Sequence, residues 1–361
     1  MKTLKISISL IISALLTTSC VTWYTVAPEI HPDGSMTMSI YAEADSACIA
    51  GDRSSHPFLF APDGSWSLEP LPGNRTFRFL NDSITHNYVA RREFARSDTA
   101  ARMVPASEEV AGLPYLRGHE NWSRRWGLFF HTYSYSCRFP GIAGQMPVAP
   151  EECMNPQTIH RWFGDRDSRY DGMNGAEIYD GVLSPASEEY CNWFNECYYR
   201  EYCRVLSSGT GKRLTQQQEM DVIEKFRESL DFFDGTATVN SASVIEAARL
   251  MDTVTGGTAF SEAAADHADR WAETLSAREE ELLAPFIYAL RYTVTMPGRL
   301  TSANTALIDE GIPVWKVDGF RLLAGDLTVE ATSRRANPLG FIFLGLIVLV
   351  SAVIFFHPRR Y

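Results

Sequence analysis

The chain carries an apolar segment near each end, and the lengths of the two segments predict different roles at the membrane. The first, Ile6–Leu16, follows two lysines and precedes the small residues before Cys20. A helix of that length is too short to cross a hydrocarbon core of about 30 Å, so the pattern indicates a signal peptide over residues 1–19. A cysteine directly after small residues is what lipoprotein processing acylates, and we predict lipidation (palmitate) at Cys20. The alternative is ordinary secretion, with Cys20 removed or left as a thiol.

The second apolar segment, Leu339–Phe356, has Ser351 as its one polar residue. At a rise of about 1.5 Å per residue it covers roughly 27 Å, which is enough for a span with little tilt. Its apolar side chains cover every face, whereas a soluble surface helix has one apolar stripe; the alternative is a buried core helix. We predict a transmembrane helix over residues 337–356 and a cytoplasmic tail over residues 357–361.

The flanking arginine pairs balance each other, so they do not set the orientation of this helix. Export by the signal peptide does set it, and places the body on the periplasmic or extracellular side. We therefore expect a bacterial inner-membrane protein of the cell envelope. Of its 361 residues 45% are hydrophobic and 12% aromatic, as in a folded globular body. A net charge of −11 argues against nucleic acid or anionic head groups as main ligands, because both need a positive surface.

With Cys20 assigned to lipid, an even number of cysteines remains, which in an exported chain predicts at least one disulfide bond. These are Cys48, Cys137, Cys153, Cys191, Cys197 and Cys203. The last three lie in the helical segment Ser184–Leu206, where neighbours six apart are separated by about 9 Å of rise. A disulfide needs Cα atoms within about 7 Å, so bridges would run from this segment to the first three cysteines. The alternative is that several are free, buried thiols.

The pattern of apolar residues predicts an α+β fold, in which a helical, cysteine-containing insertion interrupts an antiparallel β-sheet domain. Residues 20–138 and 286–336 form the two β-rich parts, and residues 139–285 the insertion. Alternation in Met36–Ala42 and in Phe286–Thr295 is typical of half-buried strands. Neither block has enough residues to bury a core alone, so we expect both segments to share one sheet.

Further strands are predicted from short apolar runs. They are Phe58–Phe60, Trp66–Leu68, Thr76–Leu80, Trp126–Ser136, Val314–Val317 and Leu327–Ala331. In the insertion, Thr215 and Gln218 form a capping box that opens a helix, and Ser243 with Glu246 opens the next one. Phe260–Leu283 predicts another helix, with a break near Ser276.

A turn follows the insertion, where Met296-Pro297-Gly298 has the signature of a type II turn. Ser302, Ala303, Asn304 and the strand Val314-Trp315-Lys316-Val317 come before the C-terminal helix. With Cys20 and the Asp33-Gly34 turn, this arrangement resembles the LppM-like envelope lipoprotein domain at residues 20–45 and 286–356. The resemblance implies a membrane-tethered β-sheet domain that binds an envelope lipid or protein, with no known catalytic residues.

No motif in the sequence predicts a catalytic residue, a metal site or a cofactor. The segment from Asp165 to Glu177 is similar to a calcium loop, but Arg169 stands where an oxygen ligand is needed, which favours a solvated acidic turn. No close cysteine pair of the zinc-ribbon kind occurs. Ser207–Lys212 imitates a phosphate loop without its first glycine. The aromatic residues of Trp193–Tyr202 are best explained by core packing, the alternative being a face that contacts carbohydrate or lipid.

Two classes of function remain. The favoured one is a non-enzymatic envelope lipoprotein, of binding or structural type, that contacts a lipid, glycan or protein through the helical insertion and does not bind nucleic acid. The rival is an envelope hydrolase or transferase whose site is assembled from distant residues. Its candidates are Asp165, Asp167, Asp171 and His160.

Overall fold

The computed structural model describes residues 21–79, 82–95, 105–108, 110–155, 184–232, 238–305 and 307–356. It is an α+β structure with a large, curled, mainly antiparallel sheet and one apolar helix at the C-terminal end. The strands follow in chain order: β1 (Thr22–Ile30), β2 (Met36–Ala42), β3 (Ser67–Phe79), β4 (Asp82–Phe94), β5 (His119–Arg125), β6 (Phe130–Phe139), β7 (Tyr288–Thr293), β8 (Arg299–Ala303), β9 (Ile308–Asp309), β10 (Ile312–Asp318) and β11 (Leu327–Ala336).

The helices of the described residues are also numbered along the chain. They are α1 (Ser46–Ile49), α2 (Pro150–Cys153), α3 (Ser184–Thr210), α4 (Gln216–Ser229), α5 (Ser241–Thr255), α6 (Ala259–Ile287), α7 (Gly319–Leu323) and α8 (Pro338–Phe356). The chain divides into two compact units. Trp23–Pro140, Ala289–Val317 and Asp326–Tyr361 form the sheet unit, and Gly141–Tyr288 with Asp318–Gly325 forms the helical unit.

The sheet unit contains a seven-stranded sheet of order β3-β4-β2-β1-β7-β10-β9 and a four-stranded sheet of order β5-β6-β11-β8. The predicted strands in Met36–Ala42 and Phe286–Thr295 therefore do share one sheet. Phe79 and Ile84, near one edge, pack against Val314 of β10. Three strands lie between β4 and β10 in the sheet order, so this contact requires the sheet to curl back on itself.

The β1–β2 hairpin follows from its sequence. Met36, Met38 and Ile40 are buried, and the polar residues that alternate with them are less so. Asp33 closes the turn, because its carboxylate accepts the backbone N–H of Ser35 at 2.9 Å. Gly34 takes a φ of 92°, a left-handed value that glycine adopts without a Cβ penalty. The alternation and the turn chemistry thus agree on one register.

In the helical unit, α3, α4, α5 and α6 enclose an apolar core. Tyr202, Phe226, Met251 and Phe260 each contribute a fully buried side chain. The capping box predicted at the start of α4 is present: the Thr215 hydroxyl accepts the Gln218 N–H at 3.2 Å, and the Gln218 side chain accepts the Thr215 N–H at 3.0 Å. Both bonds satisfy N–H groups that the first helical turn leaves without partners.

Several predicted boundaries were wrong. Helix α5 begins after Asn240, whose side chain accepts the N–H groups of Ala242 and Ser243, so Ser243 lies inside the helix. Helix α6 runs unbroken through Ser276 to Ile287. Phe58–Phe60 forms an isolated bridge from Phe60 to Pro105 in place of a strand. The predicted strand from Trp126 begins at Phe130, because the residues between are the turn of the β5–β6 hairpin.

Candidate functional site

The C-terminal helix α8 is the feature with the clearest functional meaning. It is 19 residues long with a mean hydropathy of 2.9, and only 6% of its most apolar window is buried. Among the described residues it is the one helix long and apolar enough to cross a membrane. Its large side chains are exposed along its length, from Leu339 at 75% to Phe355 at 82%. Exposed apolar surface of this extent is unfavourable in water and favourable in hydrocarbon.

The first turn of α8 is held by the turn of the β5–β6 hairpin, within the sheet unit. The Asn337 side-chain amide donates to the carbonyl oxygens of Gly127 at 3.2 Å and Leu128 at 3.0 Å. The Asn337 N–H donates to Phe129 O at 2.8 Å. A Cβ at Gly340 would overlap the Leu128 carbonyl, so only glycine allows this approach. The hairpin turn is thereby fixed beside the start of the apolar helix.

A second group of polar side chains is buried on the seven-stranded sheet. His86 on β4 is 1% exposed, and its Nε2 lies 3.0 Å from the Thr25 hydroxyl on β1. Its Nδ1 is buried with no hydrogen-bond partner among the described residues. Burial, helped by the nearby positive charge of Arg291, lowers the pKa of His86 from 6.5 to about 4. The imidazole is therefore neutral at pH 7.

Arg291 on β7 is the charged member of this buried group, at 4% exposure. Its Nε donates to the Arg78 carbonyl at 2.8 Å, and Nη2 donates to the Asp309 carboxylate at 2.6 Å. Its guanidinium carbon also lies 5.3 Å from the centroid of the Phe77 ring. Burial lowers the Arg291 pKa from its ordinary value, whereas the Asp309 charge raises it. The ion pair compensates a buried charge and joins β7 to β9 and β3.

Two tyrosines form a polar link in the interior of the same unit. The hydroxyls of Tyr135 on β6 and Tyr292 on β7 lie 2.5 Å apart, and the Tyr292 hydroxyl donates to Glu120 at 3.0 Å. Burial raises the pKa of both phenols well above 10, with the Glu120 carboxylate acting in the same direction. Both are therefore neutral at pH 7 and act as hydrogen-bond groups between strands of the two sheets.

These buried groups have a structural role, because they join strands and are inaccessible to a substrate. A neutral imidazole is a base, but His86 is only 1% exposed and is therefore closed to a substrate from solvent. The described residues contain no group of three or more histidine, cysteine or acidic side chains that could hold a metal ion. His86 was not predicted because no strand was expected over β4, although the buried residues Ile84, His86 and Tyr88 alternate there with more exposed ones.

The predicted cysteines are all described except Cys20. Cys191, Cys197 and Cys203 lie along α3, and burial raises the pKa of each thiol to about 12, so they are protonated and unreactive at pH 7. Burial raises the pKa of Cys153 to about 11. Cys48 is a buried thiol on α1, and Cys137 is buried on β6. Disulfide bonding among the six stays a prediction.

The remaining predicted residues divide into two groups. His160, Asp165, Asp167 and Asp171 lie outside the described residues, as does Cys20. In contrast, the aromatic residues of α3 are core residues: Trp193 is 0% exposed, and Tyr198 and Tyr202 are also buried. A carbohydrate- or lipid-contacting face on these rings is therefore excluded. Ser207–Thr210 belongs to α3 itself, so the phosphate-loop likeness has no structural counterpart.

Comparison with known proteins identifies no relative: no family model, no curated protein and no solved structure matches the chain.

Proposed function

We propose that the protein is a membrane-tethered envelope lipoprotein of non-enzymatic, binding or structural type. The observation that carries this proposal is α8, whose apolar side chains are exposed on every side and need hydrocarbon around them. The signal-peptide pattern before Cys20 supports export, so the body lies on the exported side of the inner membrane and the C-terminus in the cytoplasm. Lipidation at Cys20 gives a second anchor.

The helical, cysteine-containing segment is, in this proposal, an insertion in the sheet domain that contacts an envelope lipid, glycan or protein. Its supporting observation is that the sheet unit is assembled from three sequence segments and the helical unit separates the second strand-bearing block from the first. Since the aromatic rings of α3 are buried, its ligand contacts would come from other residues. We also propose that the sheet domain is similar to the LppM-like envelope lipoprotein domain, on the basis of the turns and strands that flank the insertion.

An enzymatic role is the weaker proposal. Its candidate side chains, His160 and the aspartates from Asp165 to Asp171, lie outside the described residues. The buried groups that the structure does describe are closed to a substrate.

Fractionation of the intact chain and of a form lacking Leu339–Tyr361 tests the anchoring. We expect the intact protein to fractionate with the inner membrane, to resist extraction by carbonate and to be released only by detergent. The truncated form should enter lipoprotein sorting with its body folded, because α8 contributes little to the buried core. Recovery of the intact protein in the outer membrane, or its release by carbonate after removal of the Cys20 acyl chains, would contradict the topology.

A further inference from the structure

The surface around the start of α8 combines three exposed apolar side chains with a set of arginines. Trp126 is 66% exposed, Leu128 57% and Phe130 50%, all at the turn of the β5–β6 hairpin. This turn is the one that Asn337 and Gly340 hold against α8. Since α8 becomes apolar from Leu339 onward, the turn lies at the depth where the helix passes from water into hydrocarbon. Aromatic side chains are enriched at that depth because they have an apolar body and a polar edge.

The arginines form a row across the end of the four-stranded sheet. Arg125 pairs with Thr132, Thr132 with Arg334, and Arg334 with Arg299. Four neighbouring strands therefore place three arginines in one row on one face, with Thr132 between the first and the second. Arg334 and Arg299 are directly paired, which places their Cβ atoms about 5 Å apart, and like charges in that arrangement repel. All three are exposed, and none forms a salt bridge with a carboxylate among the described residues.

Two more arginines lie on the other face of the same sheet end. Arg335 pairs with His131, and Arg124 lies over the Trp126 ring with its guanidinium carbon 3.6 Å from the centroid. The positive charge of Arg124 and Arg335 is close enough to lower the His131 pKa, in addition to the effect of burial. The five arginines therefore surround the start of α8 with positive charge, although the protein as a whole is acidic.

We propose that this juxtamembrane collar, made of Trp126, Leu128, Phe130 and the arginines at 124, 125, 299, 334 and 335, binds the anionic phospholipid surface around α8. The apolar side chains of the hairpin turn enter the head-group region. The arginines, which form no salt bridge with a carboxylate of the described residues, pair with lipid phosphates. This proposal differs from the expectation from net charge, because a local cluster of one sign can bind an anionic surface on an acidic protein. The inference rests on α8 being in a bilayer.

The depth of Trp126 in the bilayer is tested by fluorescence quenching in lipid nanodiscs. The full-length protein is reconstituted with phosphatidylcholine that carries bromine on its acyl chains, and its tryptophan emission is compared with that in unbrominated lipid. We expect bromine to quench part of the emission, and Trp126→Phe to remove most of the quenched part. Trp66→Phe is the matched control, since Trp66 is buried in the sheet unit and should leave the quenched part unchanged.

The role of the arginines is tested by measuring which lipids stay bound to the protein. The protein is reconstituted in equimolar phosphatidylglycerol and phosphatidylcholine and extracted in a mild detergent, and the lipids that it retains are quantified. We expect several-fold enrichment of phosphatidylglycerol with the wild type, and the input ratio with the triple variant R125Q/R299Q/R334Q. The control triple variant R53Q/R213Q/R270Q removes the same charge from exposed arginines elsewhere, and should keep the enrichment.

The outcomes separate the two proposals. Failure of the full-length protein to enter nanodiscs would overturn both the anchoring and the collar. Entry into nanodiscs with equal quenching in wild type and Trp126→Phe, or equal enrichment in wild type and R125Q/R299Q/R334Q, would overturn the collar and leave the anchoring intact.

Discussion

The side-chain amide of Asn337 donates to the carbonyl of Leu128 at 3.0 Å, across 209 residues of sequence. Asn337 is the residue before α8, and Leu128 is in the turn of the β5–β6 hairpin. This hydrogen bond holds the start of the apolar helix against the hairpin of the four-stranded sheet. Together with the other contacts of Asn337 and Gly340, it would set the orientation of the sheet unit above a bilayer, in place of a flexible linker.

Replacement of Gly340 by alanine should release the hairpin turn from α8. A methyl group at Gly340 would overlap the Leu128 carbonyl oxygen, which is backbone and cannot move away alone. We expect faster trypsin cleavage after Arg124 and Arg125 in the detergent-solubilised protein, measured by mass spectrometry of the fragments. Gly345→Ala is the control, because a methyl group there meets nothing within 4 Å, and it should be cleaved at the wild-type rate. Equal cleavage of both variants would contradict the contact.

Acidification should destabilise the sheet unit through His86. Its pKa is about 4 in the folded state and about 6.5 when unfolded, so the unfolded state binds more protons between these values. The stabilising contribution is therefore complete above pH 6.5 and is lost as the pH falls towards 4, by about 3 kcal/mol in total. His86→Gln should remove this component from the pH dependence of the thermal midpoint. His267→Gln, at an exposed site on α6, should retain it.

Asp252 caps α6 from a neighbouring helix, and its removal should destabilise the helical unit. Its two carboxylate oxygens accept the backbone N–H groups of Phe260 at 3.0 Å and Ser261 at 2.7 Å. Asp252→Ala leaves both groups without partners, and we expect a loss of about 1–2 kcal/mol, seen as a lower midpoint in helical circular dichroism. Asp252→Asn keeps one acceptor and should lose less. Asp266→Ala, at an exposed position on α6, should leave the midpoint unchanged.

Asn304 joins β8, β10 and β11, and its replacement should loosen the sheet unit. Its Oδ1 accepts Trp315 Nε1 at 2.9 Å and the Glu330 N–H at 2.8 Å, and its Nδ2 donates to Thr328 O at 2.7 Å. Asn304→Ala leaves the buried Trp315 N–H without an acceptor, at a cost of about 1–3 kcal/mol. Asn304→Asp keeps the acceptor, so its stability should lie between that of the wild type and that of Asn304→Ala. Chemical unfolding followed by tryptophan emission measures the difference, and an alanine variant as stable as wild type would exclude this role.

The features that depend on neighbouring residues were predictable from the sequence. The strand Met36–Ala42, the turn at Asp33-Gly34 and the capping box of Thr215 with Gln218 all appear in the structure, since each arises from local alternation or local hydrogen bonding. The positive φ of Gly298 after Pro297 also follows the predicted turn.

Features set by distant residues were not predictable. The pairing of β11 with β6 joins segments almost 200 residues apart, and nothing in either strand specifies the other. The same holds for the row formed by Arg125, Arg334 and Arg299, because a charge cluster read along the sequence contains only adjacent arginines. His86 is different, because the alternation of the buried residues Ile84, His86 and Tyr88 is a local signal from which β4 could have been predicted.

The position of β11 has a consequence for the order in which the protein is made. This strand lies between β6 and β8, and is followed within two residues by α8. Until the ribosome has added residues 327–336, β6 has an open edge and β8 has no partner in this sheet. An open edge is a template for wrong pairing, and domains dominated by distant pairings fold slowly. The four-stranded sheet can therefore close only after the segment directly before the apolar helix is available, and until then its open edge must be kept from wrong pairing.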